Sequence, residues 1–125
     1  MSPLEAYYAR LPDGHRELLL AADRYLRSLD DLTLEPGYKW RTPTYDYRGR
    51  HIAYLYHEAQ RGLSYVAFAA GKHLRHPLLR GEDRKIMRYL PLDPDVDLPV
   101  DAIADCLRQA AAHIDEHGSG WQRGG

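Results

Sequence analysis

Disulfide chemistry, long apolar runs and a charge bias of either sign are all missing from this sequence. One cysteine, Cys106, stands among 125 residues, so no internal disulfide forms. The opening MSPLEAYYARLP lacks the basic and apolar regions of a secretory leader, and a reducing, cytoplasmic setting is expected. No apolar stretch reaches the roughly 18 to 20 residues that span a bilayer, because Arg, His or Asp interrupts each one, so no membrane partner is expected. Seventeen Lys and Arg face eighteen Asp and Glu for a net charge of −1, which removes any bulk attraction to nucleic acid or anionic lipid. Phenylalanine is also nearly absent, one against ten tyrosines. A buried tyrosine wants a partner for its hydroxyl, so this imbalance favours a core that meets a wet edge, as in a groove.

With 44% hydrophobic and 28% charged residues, the chain has the apolar content for one core. A single domain over 1–117 is expected, followed by a flexible glycine-rich tail over 118–125 on which Trp121 would dock back. Leu4, Tyr7, Tyr8 and Leu11 recur at helical spacing before Pro12. Asp13 would cap a second helix carrying Leu18, Ala22, Tyr25 and Leu29 in one row, with Arg16, Arg24 and Arg27 facing water. After the turn at Glu35, Pro36 and Gly37, a strand begins near Tyr38 and meets Pro43, which suits an edge or a corner. Arg48, Gly49 and Arg50 make a tight turn into a strand from His51 to His57, with Ile52, Tyr54 and Tyr56 on one face and Ala53 and Leu55 on the other. A turn at Gln60, Arg61 and Gly62 leads to a further alternating segment from Leu63 to Ala70. The stretch from Lys72 to Leu79 reads as one turn of helix and then loop, since Pro77 interrupts it, and Lys85 to Pro91 reads as a last short strand. Val100, Ile103, Ala104, Leu107, Ala110, Ala111 and Ile114 form the cleanest helical stripe. The expected fold is α+β, an antiparallel meander of about five strands packed against N-terminal helices and a C-terminal amphipathic helix.

Four constellations carry chemistry worth weighing. The segment Lys39-Trp40 with Pro43 and Tyr45 offers an aromatic floor with a cationic rim, suited to an anionic or planar ligand. The competing reading makes Trp40 a core anchor and Pro43 a strand terminator. A basic arc of Lys72, His73, Arg75, His76, Arg80, Arg84, Lys85 and Arg88 sets six permanent positive charges against Glu82 and Asp83, enough for phosphate, a carboxylate or a nucleic-acid backbone but without a glycine-rich phosphate loop, and its competing reading is a solvated loop. His113 and His117 lie one helical turn apart, yet Ile114 follows His113 and the HExxH general base is missing. Asp93, Asp95, Asp97 and Asp101 mimic the start of a calcium loop, but Leu98 stands where glycine is required and Ala104 where the bidentate Glu belongs. No serine sits in an elbow motif, and Cys106 falls near the buried stripe.

Lys39-Trp40, Pro43 and Tyr45, then Phe68 with Gly71 and Leu74, then Pro77, Gly81 and the Lys85/Arg88 pair resemble the YdhG-like family of small bacterial domains of unknown function. The likeness covers almost the whole chain. It implies a compact α+β domain of a shape likened to frataxin, and some relatives carry the label of frataxin-like iron chaperone.

The expected function is therefore a non-enzymatic binding module for a small anionic ligand or a protein partner. Its ligand-binding residues would be Lys39, Trp40, Tyr45, Lys85 and Arg88, converging at one edge of the sheet, with no catalytic residue, metal ligand or cofactor assigned and nucleic acid not expected as a partner. The alternative is a frataxin-like iron or metal chaperone working through the surface carboxylates Asp30, Asp31 and Glu35. A third reading, an enzyme drawing acid and base from His51, His57 or His73, depends on neighbours in space and not in sequence. A tyrosine-rich sheet edge would also let two copies pair as a homodimer.

Overall fold

The computed structural model describes residues 1–118; the expected docking of Trp121 and the rest of the tail lie outside the described residues. Helix α1 spans Pro3–Ala9, and it starts there because Ser2 and Glu5 form a reciprocal capping box, Glu5 N–H donating to Ser2 Oγ at 3.1 Å and Ser2 N–H to Glu5 Oε1 at 2.9 Å. Helix α2 spans His15–Arg27. Its N-cap is Gly14 and not the expected Asp13: the backbone takes φ +85° there, which glycine tolerates, and Gly14 N–H donates to Glu17 Oε2 at 2.7 Å. Asp13 instead accepts from Arg16. Nor does Arg16 simply face water, since its guanidinium donates to the carbonyls of Tyr8 and Leu11 and ties the end of α1 to the start of α2.

Five strands follow: β1 (Glu35–Lys39), β2 (Thr42–Tyr47), β3 (Arg50–Glu58), β4 (Leu63–Phe68) and, after a 3₁₀ turn at Gly71–His73, β5 (Arg88–Leu92). They pair antiparallel in chain order, so the sheet is the expected meander with β1 and β5 at its edges. Helix α3, Val100–His117, closes the fold. The helices lie on one face of this sheet, where α1 contacts β2, α2 contacts β3, and α3 contacts β3 and β4. The core between the layers is filled by Leu19, Leu26, Ile52, Leu55, Val66, Phe68, Leu90, Ile103 and Leu107. Among the described residues the other face carries no helix.

Three local features decide which side chains reach that uncovered face. First, Lys39 pairs with Thr42 across a two-residue turn in which Trp40 (φ +54°) and Arg41 (φ +62°) are both left-handed, the pattern of a type I′ hairpin. The expected edge segment from Lys39 to Tyr45 is thereby split: Lys39 ends the edge strand, and Thr42 to Tyr45 belong to β2, one strand inward. Second, Pro43 sits inside the sheet, where extending the register sets it opposite Leu55. Thr42 Oγ1 donates to the Leu55 carbonyl, supplying the hydrogen bond that an N–H at Pro43 would have made. Third, Tyr45 pairs with Ala53 but Asp46 pairs with His51, which leaves Ile52 as an extra residue in β3. This bulge turns Ile52 into the core beside Ala53 and Leu55, and places His51, not Ile52, on the face of Tyr54 and Tyr56.

The last strand also differs from expectation. It begins at Arg88, and Lys85 lies in the preceding turn. Gly71 explains how the chain passes this point: a Cβ there would run into the backbone nitrogen and side chain of Arg88, so only glycine lets the 3₁₀ turn lie against β5. Lys72 N–H donates to Ile86 O at 2.7 Å across the same contact. Gly71→Ala is expected to destabilise the fold by about 1–3 kcal/mol, the usual range for overpacking, read as a lower midpoint with unchanged slope in urea unfolding.

Candidate functional site

Antiparallel pairing aligns the alternate residues of β2, β3 and β4 into one patch on the uncovered face. Tyr56 lies opposite Tyr65, and Tyr54 opposite both Thr44 and Ala67. With His51 brought onto this side by the bulge, and Trp40 leaning in from the hairpin turn, the result is a cavity of about 340 Å³ lined by Trp40, Thr42, His51, Tyr54, Tyr56 and Tyr65. Its rings are in mutual contact: Trp40 meets His51 edge-on at 5.0 Å between centroids, and His51 stacks with Tyr54 at 6.0 Å and 20°. Tyr56 and Tyr65 lie 5.7 Å apart, and Tyr65 continues to Tyr89 of β5 at 4.8 Å. Met87, just ahead of β5, receives the Tyr54 hydroxyl on its sulfur. Arg84 lays its guanidinium 5.4 Å from the centre of the Tyr89 ring.

The electrostatics are those of a neutral floor inside a charged rim. Burial pushes the His51 imidazole down to about 4, with Lys39 adding to the shift and Asp46 opposing it. Burial raises the Tyr54 phenol and pushes Tyr65 up to about 12, while the Arg84 charge acts on both in the other direction. At neutral pH the cavity therefore presents uncharged rings. Around it stand Lys39, 3.8 Å from Asp46, and the Arg61–Glu58 pair at 2.8 Å, together with Arg84.

The five residues expected to converge do not. Trp40 lines this cavity with 63% of its surface exposed, which sets aside the reading of it as a core anchor, and Lys39 stands beside it at the margin, where its charge acts on His51. Tyr45 faces the helices, 1% exposed, with its hydroxyl on the Asp23 carboxylate. Arg88 pairs with Phe68 on the helix side of β5, its guanidinium held by the carbonyls of Arg84 and Met87, and Lys85 is exposed in the turn before it. Lys39 and Arg88 thus occupy opposite edges and opposite faces of the sheet, and no pocket joins them. Of the basic arc, Arg84 reaches the aromatic patch; Arg75 and Arg80 donate to nearby carbonyls. Tyr54, Tyr56, Tyr65 and Thr42 were missed as site residues, and His51 was named only as an acid or base of the enzyme reading. Their signal was the shared alternation of tyrosines on two adjacent strands, obscured because β3 is apolar on both faces.

The remaining constellations resolve differently. His113 and His117 join His73 in a surface stack, His73 and His113 lying 4.1 Å apart at 17°, and among the described residues no group of three or more His, Cys, Asp and Glu is arranged to hold a metal ion. Asp31, one of the carboxylates of the metal-carrier reading, pairs with Arg108 at 2.9 Å. Asp93 accepts from the Asp95 N–H in a local turn. The Cys106 thiol is buried and pushed up to about 12 by that burial, far from an activated nucleophile. No helix of the described residues is long and apolar enough to cross a membrane.

No protein-family model matches this chain, and neither a curated protein nor a solved structure does.

Two outcomes follow for this site. His51 is held neutral below its ordinary value, so the unfolded chain takes up the proton first and stability falls as pH drops from about 6.5 to about 4. His57, His73 and His113 are shifted the same way and add to the slope. Replacing His51 by Phe is expected to remove up to about 3 kcal/mol of that fall, measured as the difference in urea-unfolding energy between the two pH limits. The Trp40-Arg41 turn stores strain that two non-glycine residues do not relieve. The double replacement Trp40→Asn with Arg41→Gly should raise stability by about 1 kcal/mol, because Asn-Gly is at ease in this turn.

Proposed function

We propose that the chain is a YdhG-like cytoplasmic binding module whose uncovered sheet face takes a small planar ligand bearing an anionic group. The observation that carries this is the aromatic cavity itself: Trp40, Tyr54, Tyr56, Tyr65 and a neutral His51 around about 340 Å³, with the cations Lys39 and Arg84 at its margin. Ring faces stack on a flat π-system at roughly 1–3 kcal/mol each. A guanidinium beside such a floor pairs with a carboxylate or phosphate carried by the same ligand. The lining residues carry no permanent charge of either sign, so the preference for an anion rests on Arg84 at the margin, over the Tyr89 ring. The exposed Trp40 stands in a left-handed turn that costs stability, which fits a side chain that serves contact more than packing.

Calorimetric titration tests the reading with adenosine monophosphate and 4-hydroxybenzoate as planar anions, adenosine as the neutral counterpart and choline as a cation. The planar anions are expected to bind with dissociation constants between about 10 μM and 1 mM, as suits a shallow cavity of this size. Trp40→Ala should weaken them by roughly 1–3 kcal/mol. Arg84→Gln should weaken adenosine monophosphate and leave adenosine unchanged. Preference for choline, or no heat from either anion at millimolar concentration, would overturn the reading.

A further inference from the structure

A second constellation lies on the other side of the sheet, at the end of β4 away from the bulge. Ser64, with no exposed surface, directs its Oγ to two imidazoles at once: His15 Nδ1 at 2.8 Å and His57 Nδ1 at 2.9 Å. The rings stand 4.5 Å apart between centroids. His15 comes from the first turn of α2 and His57 from the end of β3, so helix and sheet must pack before the three groups meet. Both imidazoles line one cavity of about 480 Å³, together with Tyr7, Arg10, Leu11, Pro12, Ala59 and Gly62. The Arg10 guanidinium lies 6.0 Å from the centre of the Tyr7 ring, and the Tyr7 hydroxyl accepts the backbone N–H of His57 at 3.0 Å.

A hydroxyl has one proton to give and lone pairs to receive. Between two neutral imidazoles, Ser64 satisfies all three groups in one way: Oγ–H donates to one Nδ1 and the other ring's Nδ1–H donates to Oγ. The two rings then differ at their far nitrogens. One Nε2 carries a lone pair and the other carries a proton.

We propose that Ser64 holds His15 and His57 in opposite tautomers, making this cavity a paired general base and general acid for the keto–enol tautomerisation of a small carboxylate. The inference is independent of the aromatic cavity. In each turnover the unprotonated Nε2 takes the proton from the substrate, and that ring's Nδ1–H passes to Ser64 Oγ. The Ser64 proton passes to the second Nδ1, and the second ring's Nε2–H is delivered to the substrate. One proton enters and one leaves, and neither ring has to become an imidazolium or an imidazolate. The pair is left in the mirror arrangement and resets by exchange of its Nε2 protons with water. No cofactor, nucleophile or co-reactant is needed, which is why tautomerisation and not hydrolysis is the class assigned. Arg10 supplies the charge that holds the carboxylate. Burial and the neighbouring His15 keep His57 below its ordinary range, as a base that must be neutral at pH 7 requires.

The enol of phenylpyruvate serves as the probe, its ketonisation being followed by loss of enol absorbance. The full chain is expected to accelerate the reaction over buffer, and Ser64→Ala, His15→Gln and His57→Gln each to lower the rate by roughly 100-fold, the range of acid–base catalysis. Arg10→Gln should raise KM and leave kcat in place. Nitrogen NMR of the two rings gives the readout that a merely structural role would not move: one ring protonated at Nδ1 and the other at Nε2 in the parent chain, a distinction lost in Ser64→Ala. His15, half-exposed on the first turn of α2, provides a variant that folds should Ser64→Ala fail to do so. Like tautomers in the parent chain, no acceleration of the probe, or full activity in His15→Gln would each overturn the proposal.

Discussion

Tyr45 and Ala53 pair across β2 and β3, Asp46 and His51 pair next to them, and the single residue left over, Ile52, sorts the two faces of the molecule. Side-chain direction in a strand has period two, so one extra residue exchanges the faces of everything beyond it. Here it sends Ile52, Ala53 and Leu55 toward the helices while His51 joins Tyr54 and Tyr56 on the far side. Without the bulge, an imidazole would point at α2 and α3 and an isoleucine at solvent. The core and the aromatic cavity are therefore two results of one register shift, and neither can be altered there without the other.

Three helices on one side of a five-stranded sheet leave the other side to its own side chains. That face remains tolerable in water because tyrosine, tryptophan and histidine bury ring surface against each other while keeping a polar end outward. The same arrangement fixes the chemistry available. Burial holds His51 neutral and raises the Tyr54 and Tyr65 phenols, and the permanent charges stand at the margin and not in the cavity. At the opposite layer, Ser64 does for the half-buried His15 and His57 what packing alone does not, giving a nitrogen of each ring a partner at 2.8 and 2.9 Å. Both clusters rest on imidazoles, one desolvated on an aromatic floor and one pair sharing a hydroxyl.

Much of the architecture was legible in the chain. Of the stripe Val100, Ile103, Ala104, Leu107, Ala110, Ala111 and Ile114, six are buried in α3 and Val100, at its first position, is exposed. Arg48-Gly49 forms the tight connection that its glycine announced, with φ +51° and +77°. The Trp40-Arg41 turn was not legible, since neither residue favours a left-handed backbone, and so Lys39 to Tyr45 read as one edge segment where there are two strands. Of the expected site, Lys39 and Trp40 stand at the cavity because they are local to the turn that forms it. Tyr45, Lys85 and Arg88 were joined to them on charge and aromatic character alone, which carry no information about face or edge.

The sequence by itself determined the α+β class, the helices and the meander of strands between them, because helical and strand periodicities and glycine turns act over a few neighbouring positions. Tertiary structure decided which strand residues look outward and which distant groups meet. Ile52 and His51 exchange faces through a pairing offset that no local pattern encodes, and His15 finds Ser64 across 49 positions only once α2 is laid on the sheet. Register and layer packing are properties of whole elements brought together, so the sites that depend on them appear only when the chain has closed.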